Sequence, residues 1–82
     1  MLTGDPNAVS VQVVAVPDLR QAQAELEKLT RAGYPAHMTT RTVNGKEMYR
    51  IRVGPLRSRQ LAEEVAARLK RDGYASPWVT GR

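Results

Sequence analysis

The chain predicts an α+β fold: a βαββαβ two-layer sandwich, with a four-stranded antiparallel sheet carrying two helices on one face. Three observations lead there. Leu29-x-Arg31-x-Gly33-Tyr34 recurs as Leu69-x-Arg71-x-Gly73-Tyr74, as a duplicated half-unit would leave it. Each of these corners closes a segment with apolar residues at helical spacing, and each segment follows a strand-like run. Between the halves stands Asn44-Gly45, the pair preferred where two strands are joined by a two-residue turn with positive φ at both positions.

The elements follow in order. Ser10 to Val16 is short and β-branched, and Pro17-Asp18 closes it, so it reads as a strand. Asp18 is a helix N-cap with Gln21 at the capping-box position; Leu19, Ala22, Leu26 and Leu29 then form an apolar stripe. Gly33 ends that helix as a left-handed cap, and Pro35 cannot continue it. Ala36 to Val43 is a Thr-rich second strand, and Lys46 to Val53 a third, broken by Gly54-Pro55. Ser58 caps a second helix with the stripe Leu61, Ala62, Val65, Ala66 and Leu69; Gly73 ends it. Ser76 to Thr80 is the closing strand. Right-handed crossovers bring both helices to the same side of the sheet, the arrangement of ferredoxin-like or RNP-like sandwiches. The other side is left open.

Size and charge narrow the functions. At 82 residues the chain is one domain that buries only about 60–65% of its unfolded surface, too little to enclose a deep pocket. Residues 1–8 read as a flexible lead-in and 9–82 as a single domain cut from a larger protein. With no Cys there is neither a disulfide framework nor a thiolate metal site, and His37 is the lone His, so neither a metal nor another cofactor is expected. One His and no thiol cannot assemble a Ser-His-Asp or Cys-His set; Glu25 and Glu27, like Glu63 and Glu64, diverge around their helices. A glycine-rich phosphate loop is missing too. The chain reads as a binding module, not an enzyme. Its net charge of +5, from 13 Lys+Arg against 8 Asp+Glu, is carried mainly by Arg. That suits carboxylate or phosphate recognition, although a GC-rich genome alone would also enrich Arg.

Alternation along the strands selects the residues of the open side. Tyr49, Ile51 and Val53 are the apolar set of the third strand, which sends Met48, Arg50 and Arg52 outward. Val11 and Val13 belong inside, so Ser10, Gln12 and Val14 fall outside. In the last strand Pro77 and Val79 turn inward and Trp78 outward. An exposed indole is a platform for the C–H face of a sugar or for a nucleobase; the competing reading packs Trp78 into a core that has no Phe. Gln12 offers a donor and an acceptor together, or is simply solvated. Arg50 and Arg52 suit an anion, or pair with Glu47. Met48 is a soft apolar contact or filler.

With these residues in place, the chain resembles the SPOR (sporulation-related repeat) domains, which bind bacterial peptidoglycan. The resemblance is carried by Val11-Gln12-Val13, by Gly33-Tyr34-Pro35-Ala36, by Tyr49-Arg50-Ile51-Arg52-Val53-Gly54-Pro55 and by the corner Gly73-Tyr74, over roughly residues 9 to 80. It implies glycan strands stripped of stem peptides ("denuded") as the ligand, laid across the helix-free sheet, and a cell-envelope protein recruited to the division septum. Carried over by motif, the glycan-binding positions are Gln12, Ala15, Met48, Arg50 and Trp78, with Arg52 beside them. Two departures stand out. Val14-Ala15-Val16 replaces the common Gly-Ala/Ser-Phe, so Val16 stands for a core Phe; Met48 stands where an aromatic residue or Leu is frequent. On this reading the partners are peptidoglycan glycan strands, without nucleic acid, and with a membrane only through another part of the parent protein. The domain is expected to be monomeric.

The main rival is a single-stranded RNA-binding domain of the RNA-recognition-motif type, which has the same element order. Its third strand displays stacking aromatics and internal Gly. Here that strand reads Lys46-Glu47-Met48-Tyr49-Arg50-Ile51-Arg52-Val53, without Phe or Gly. A second rival is a regulatory or protein-pairing module of the same topology.

Overall fold

The computed structural model describes residues 9–81. The expected lead-in, residues 1–8, lies outside the described residues. The order is β1 (Val9–Val16), α1 (Leu19–Arg31), β2 (Ala36–Val43), β3 (Lys46–Leu56), α2 (Arg59–Arg71) and β4 (Trp78–Gly81). The sheet runs β2-β3-β1-β4 with every pair antiparallel, so the predicted α+β sandwich is the observed one.

Local chemistry sets the ends of both helices. Asp18 Oδ1 accepts from the Arg20 N–H at 2.9 Å, and Ser58 Oγ from the Leu61 N–H at 3.1 Å, each satisfying one orphan donor of a first turn. At the other end the two corners match bond for bond. Tyr34 N–H donates to Leu29 O at 3.1 Å and Gly33 N–H to Thr30 O at 3.0 Å; Tyr74 N–H donates to Leu69 O at 3.1 Å and Gly73 N–H to Lys70 O at 3.2 Å. This is the paired bonding of a Schellman motif, twice. Asn44 and Gly45 take φ of 52° and 80°, the tight turn expected between β2 and β3.

The two halves also contribute alike to the core. Ala22 and Leu29 of α1 correspond to Ala62 and Leu69 of α2, and all four are buried against Val9, Val11, Val13, Ile51 and Val53. Leu19 and Leu61 begin the two predicted stripes but are 43% and 38% exposed, so the buried stripes start only at Ala22 and Ala62. Val16 packs on the core from the helix side, as a replacement for Phe would.

The closing strand runs from Trp78 to Gly81 and not from Ser76 to Thr80, and two further strand expectations need correction. β3 does not stop at Gly54-Pro55 but runs on to Leu56, whose partner is Val9. Proline cannot donate to the ladder, and the mismatch is absorbed by a register shift between Val9 and Val11, with Gly54 N–H donating instead to Pro35 O at 2.9 Å. The second correction concerns Val14. The β1–β3 register slips between Gln12 and Val14, so Val14 opposes the buried Ile51 and Ala15 opposes Arg50. Val13 is the extra residue of a bulge, and beyond it inside and outside are exchanged. Val14 therefore packs on the core and Ala15 reaches the open face.

The corner tyrosines do more than pack. Tyr34 donates to Asp72 Oδ2 at 3.0 Å and Tyr74 to Glu25 Oε1 at 3.1 Å, so each half reaches an acid of the other. Lys28 Nζ stands 5.7 Å over the Tyr74 ring. Burial first, and then the bond to Glu25, push the Tyr74 phenol from 10.0 up to about 12. An unfolded chain releases this proton near pH 10 and the folded one only near 12. The stability it carries is therefore complete below pH 10 and is lost as pH rises through that window. Urea unfolding should show wild type losing about 1–2 kcal/mol more than Tyr74→Phe across the window, after a discount for solvent screening. Equal slopes for the two proteins would remove the linkage.

Candidate functional site

Both helices lie on one face of the sheet, and the residues that alternate with the core occupy the other. Strand register arranges them in rows. Trp78 of β4 opposes Gln12 of β1, Gln12 opposes Arg52 of β3, and Arg52 opposes His37 of β2, one row across all four strands. The next row holds Ala15, Arg50 and Thr39. Arg41 and Met48 pair beyond it, and Val43 and Lys46 meet at the hairpin end. All six residues singled out from the sequence (Gln12, Ala15, Met48, Arg50, Arg52 and Trp78) thus share this face.

Trp78 does not pack into the core. It is 65% exposed, while its neighbour Val79 packs on the core from the opposite side. β4 is an edge strand, and Pro77 precedes its first residue, where no ladder donor is needed.

Glu47 does not serve Arg50 or Arg52. It lies on the helix side and accepts from the Tyr49 hydroxyl at 3.1 Å, since residues two apart on a strand share a face. The ion pair found among the described residues is Arg31–Glu27 at 3.4 Å, on α1. Arg41, Arg50 and Arg52 therefore have no carboxylate partner among the described residues. Nε of Arg50, Nε of Arg52 and Oγ1 of Thr39 are covered and lack a hydrogen-bond partner in the protein. Burial of its guanidinium, followed by the charges of Arg52 and Arg41, pulls the Arg50 pKa below its ordinary value. Crowded cations without a neutralising carboxylate favour an incoming anion at their terminal guanidinium nitrogens.

Toward the hairpin the face sinks into a shallow depression of about 660 Å³, lined by Ala15, Arg41, Val43, Asn44, Lys46, Met48 and Arg50. Sequence reasoning overlooked His37, Thr39, Arg41 and Val43 as members of this face. The signal existed: a two-residue Asn44-Gly45 turn sets Val43 opposite Lys46, and counting back by twos reaches Arg41, Thr39 and His37. A second overlooked signal was the slip of apolar phase at Val13-Val14, which announces the bulge that brings Ala15 outward.

A family model described as "SPOR domain" matches residues 5–81. Among solved structures, the chain superposes with a TM-score of 0.80 on the crystal structure of the RlpA SPOR domain from Pseudomonas aeruginosa. The two are 19% identical, and the match covers 90% of this chain and 99% of the other. At that identity the likeness speaks for the fold. A comparison with curated proteins finds no match.

Proposed function

The chain belongs to the SPOR domain family, and from that premise we propose that it is a non-catalytic module that binds bacterial peptidoglycan across its helix-free sheet. Its ligand in this reading is glycan stripped of stem peptides, and its role is to bring the envelope protein that carries it to the division septum. Family membership supports the coarser part, a peptidoglycan-binding module. The observation that carries the finer part is the row of exposed Trp78 and half-buried Gln12 and Arg52, with half-buried Arg50 beside it, whose two cations have no acidic partner among the described residues.

Chemistry connects that row to the ligand. Loss of a stem peptide frees the lactyl carboxylate of each muramic acid, which places repeated negative charges on a hydroxyl-rich neutral chain. Arg50 meets one carboxylate through charge-assisted bonds. Gln12 donates to and accepts from hydroxyl or acetamido groups. Trp78 stacks on the apolar face of a pyranose. Intact stem peptides convert the same carboxylates to amides and crowd a flat surface. A shallow face of this kind gives an affinity of roughly micromolar order, about 8 kcal/mol, and recruitment then depends on many sites along each strand.

The domain should co-sediment with amidase-treated sacculi and only weakly with intact ones. Equal retention on both would defeat denuded-glycan recognition; retention on oligonucleotides alone, with steep salt dependence, would favour the RNA-binding rival. In the same assay Gln12→Ala should weaken binding about threefold and Arg50→Ala about tenfold, the values for a neutral and a charge-assisted bond. Thermal midpoints near wild type would accompany both losses.

A further inference from the structure

Aligning Leu29 with Leu69 and Gly33 with Gly73 sets α1 and α2 against each other position for position. The cations near the helix ends are kept: Lys28 corresponds to Arg68 and Arg31 to Arg71. Three positions change from polar to apolar. Gln21, Glu25 and Glu27 of α1 correspond to Leu61, Val65 and Ala67 of α2. In α1 both acids are in use, for Glu25 accepts from the Tyr74 hydroxyl at 3.1 Å and Glu27 pairs with Arg31 at 3.4 Å. In α2 neither acid exists. Tyr34 bonds Asp72 instead, and Arg71 has Ala67 where Arg31 has its carboxylate.

The three replacements fall on one stripe of α2. With Glu64, Arg68 and Arg71 they line a shallow groove of about 400 Å³ in the helix layer, on the other side of the sheet from Trp78. Leu61 and Ala67 are exposed and Val65 is half-buried. Arg68 and Arg71 are exposed as well, and neither forms an ion pair among the described residues. An apolar stripe with two unneutralised cations at one end is thus the half of the molecule that lacks the acids its counterpart carries.

That contrast selects the occupant. A lipid surface needs apolar side chains that stand clear of the protein, whereas Val65 packs on the core. A nucleic acid meets Glu64 and finds no aromatic platform in the groove. A second copy of a chain with a net charge of +5 brings more positive charge. What the groove lacks is a pair of carboxylates spaced as α1 spaces its own, set among apolar side chains.

We propose that this flank of α2 docks an acidic amphipathic helix of a partner protein. Its apolar side chains cover Leu61, Val65 and Ala67, and its carboxylates meet Arg68 and Arg71 as Glu27 meets Arg31 in α1. Glu64, earlier on the stripe, repels acids there and so fixes the direction in which the partner helix lies. The docking is independent of the glycan reading, because the helix layer and the open sheet face opposite ways.

The test is an amide-resolved NMR titration of the folded domain with a stapled helix of about fifteen residues, near the length at which isolated helices become stable. The probe carries Leu at i and i+4 with Glu one turn further on; a control carries Lys in place of Glu. The acidic probe should bind with a Kd of roughly 0.1 mM and shift amides between Leu61 and Arg71, leaving those of Gln12, Arg50 and Trp78 in place. The basic control should bind at least fivefold more weakly. Leu61→Gln with Ala67→Glu copies α1 at two exposed positions; it should cost about tenfold while keeping the thermal midpoint and the retention on amidase-treated sacculi. Arg68→Gln with Arg71→Gln should cost about fivefold, the combined effect of two exposed ion pairs. Equal binding of the two probes, shifts centred on the sheet, or full affinity in both double variants overturns the proposal. So does a wild-type dimer in sedimentation velocity that Leu61→Gln with Ala67→Glu dissolves, because the occupant is then a second copy. Loss of sacculus retention in that variant overturns it too, by assigning the groove to the glycan.

Discussion

Trp78→Ala is expected to lower affinity for denuded glycan by at least tenfold and to leave the thermal midpoint within a few degrees of wild type. Both halves of that result come from one fact: the indole is 65% exposed on the open face, at the outer edge of the sheet. Stacking on a large aromatic surface is worth on the order of 1–3 kcal/mol, and such anchors dominate shallow interfaces. Removing an exposed side chain opens no cavity in the core, and Val79 still holds β4 against it from the other side. Because the chain has a single Trp, its fluorescence reports the contact directly. Wild type should show an emission shift on titration with denuded glycan. Trp78→Phe should keep part of the affinity. A large fall in the melting temperature of Trp78→Ala would instead mean that the indole holds β4 in place, and the stacking role would be lost.

Gly54→Ala should be the most damaging small substitution for stability, at about 3 kcal/mol or more. Gly54 has φ of +133° and lies against β1, where a Cβ would meet Ser10 Oγ at 2.9 Å, Val9 O at 3.1 Å and Leu56 N at 3.2 Å. Two of those three atoms are backbone in a paired strand and cannot step aside. Backbone strain at such φ costs about 1–3 kcal/mol, and overpacking adds a similar amount. For a domain of this size that is roughly 12–24 °C in melting temperature, and a large part of the total stability. Gly33→Ala is the comparison. Its φ is also positive, +96°, but a Cβ there meets nothing within 4 Å, so only the left-handed penalty of about 1–2 kcal/mol applies. If the two variants melt alike, the close approach of β3 to β1 is not what requires the glycine.

The contrast between these glycines shows how legible the chain was. Gly33 and Gly73 are readable because a helix stop is a local event: an apolar stripe, a glycine, then an aromatic residue that returns to the last turn. Asn44-Gly45 is readable for the same reason, and it fixes the β2–β3 register to the residue. Gly54 looks like another stop, yet it continues a strand, because its amide finds Pro35 and the following Leu56 finds Val9. Partners so distant in sequence leave no local trace.

The candidate site divides in the same way. Alternation placed Gln12, Met48, Arg50, Arg52 and Trp78 on one face, and the register agrees. It failed at Val14 and Ala15, because a bulge exchanges the two faces and a fixed period of two cannot represent an extra residue. Met48 took its place from alternation, but its partner Arg41 came only through the hairpin pairing. The resemblance had already assigned Ala15 by motif, and the bulge gives the physical reason that this position faces outward.

By itself the sequence determined the element order, the caps, the tight turn and the family, all of which depend on residues within a few positions of one another. Tertiary structure alone decided which side chains stand in one row across four strands, where the cations lie without acidic neighbours, and which residues line the depression toward the hairpin. Those properties belong to strand pairing between residues up to 72 positions apart, such as Val9 with Gly81. Pairing over such separations is set by the packing of a shared core, whereas the outward-facing residues that form the surface contribute little to that choice.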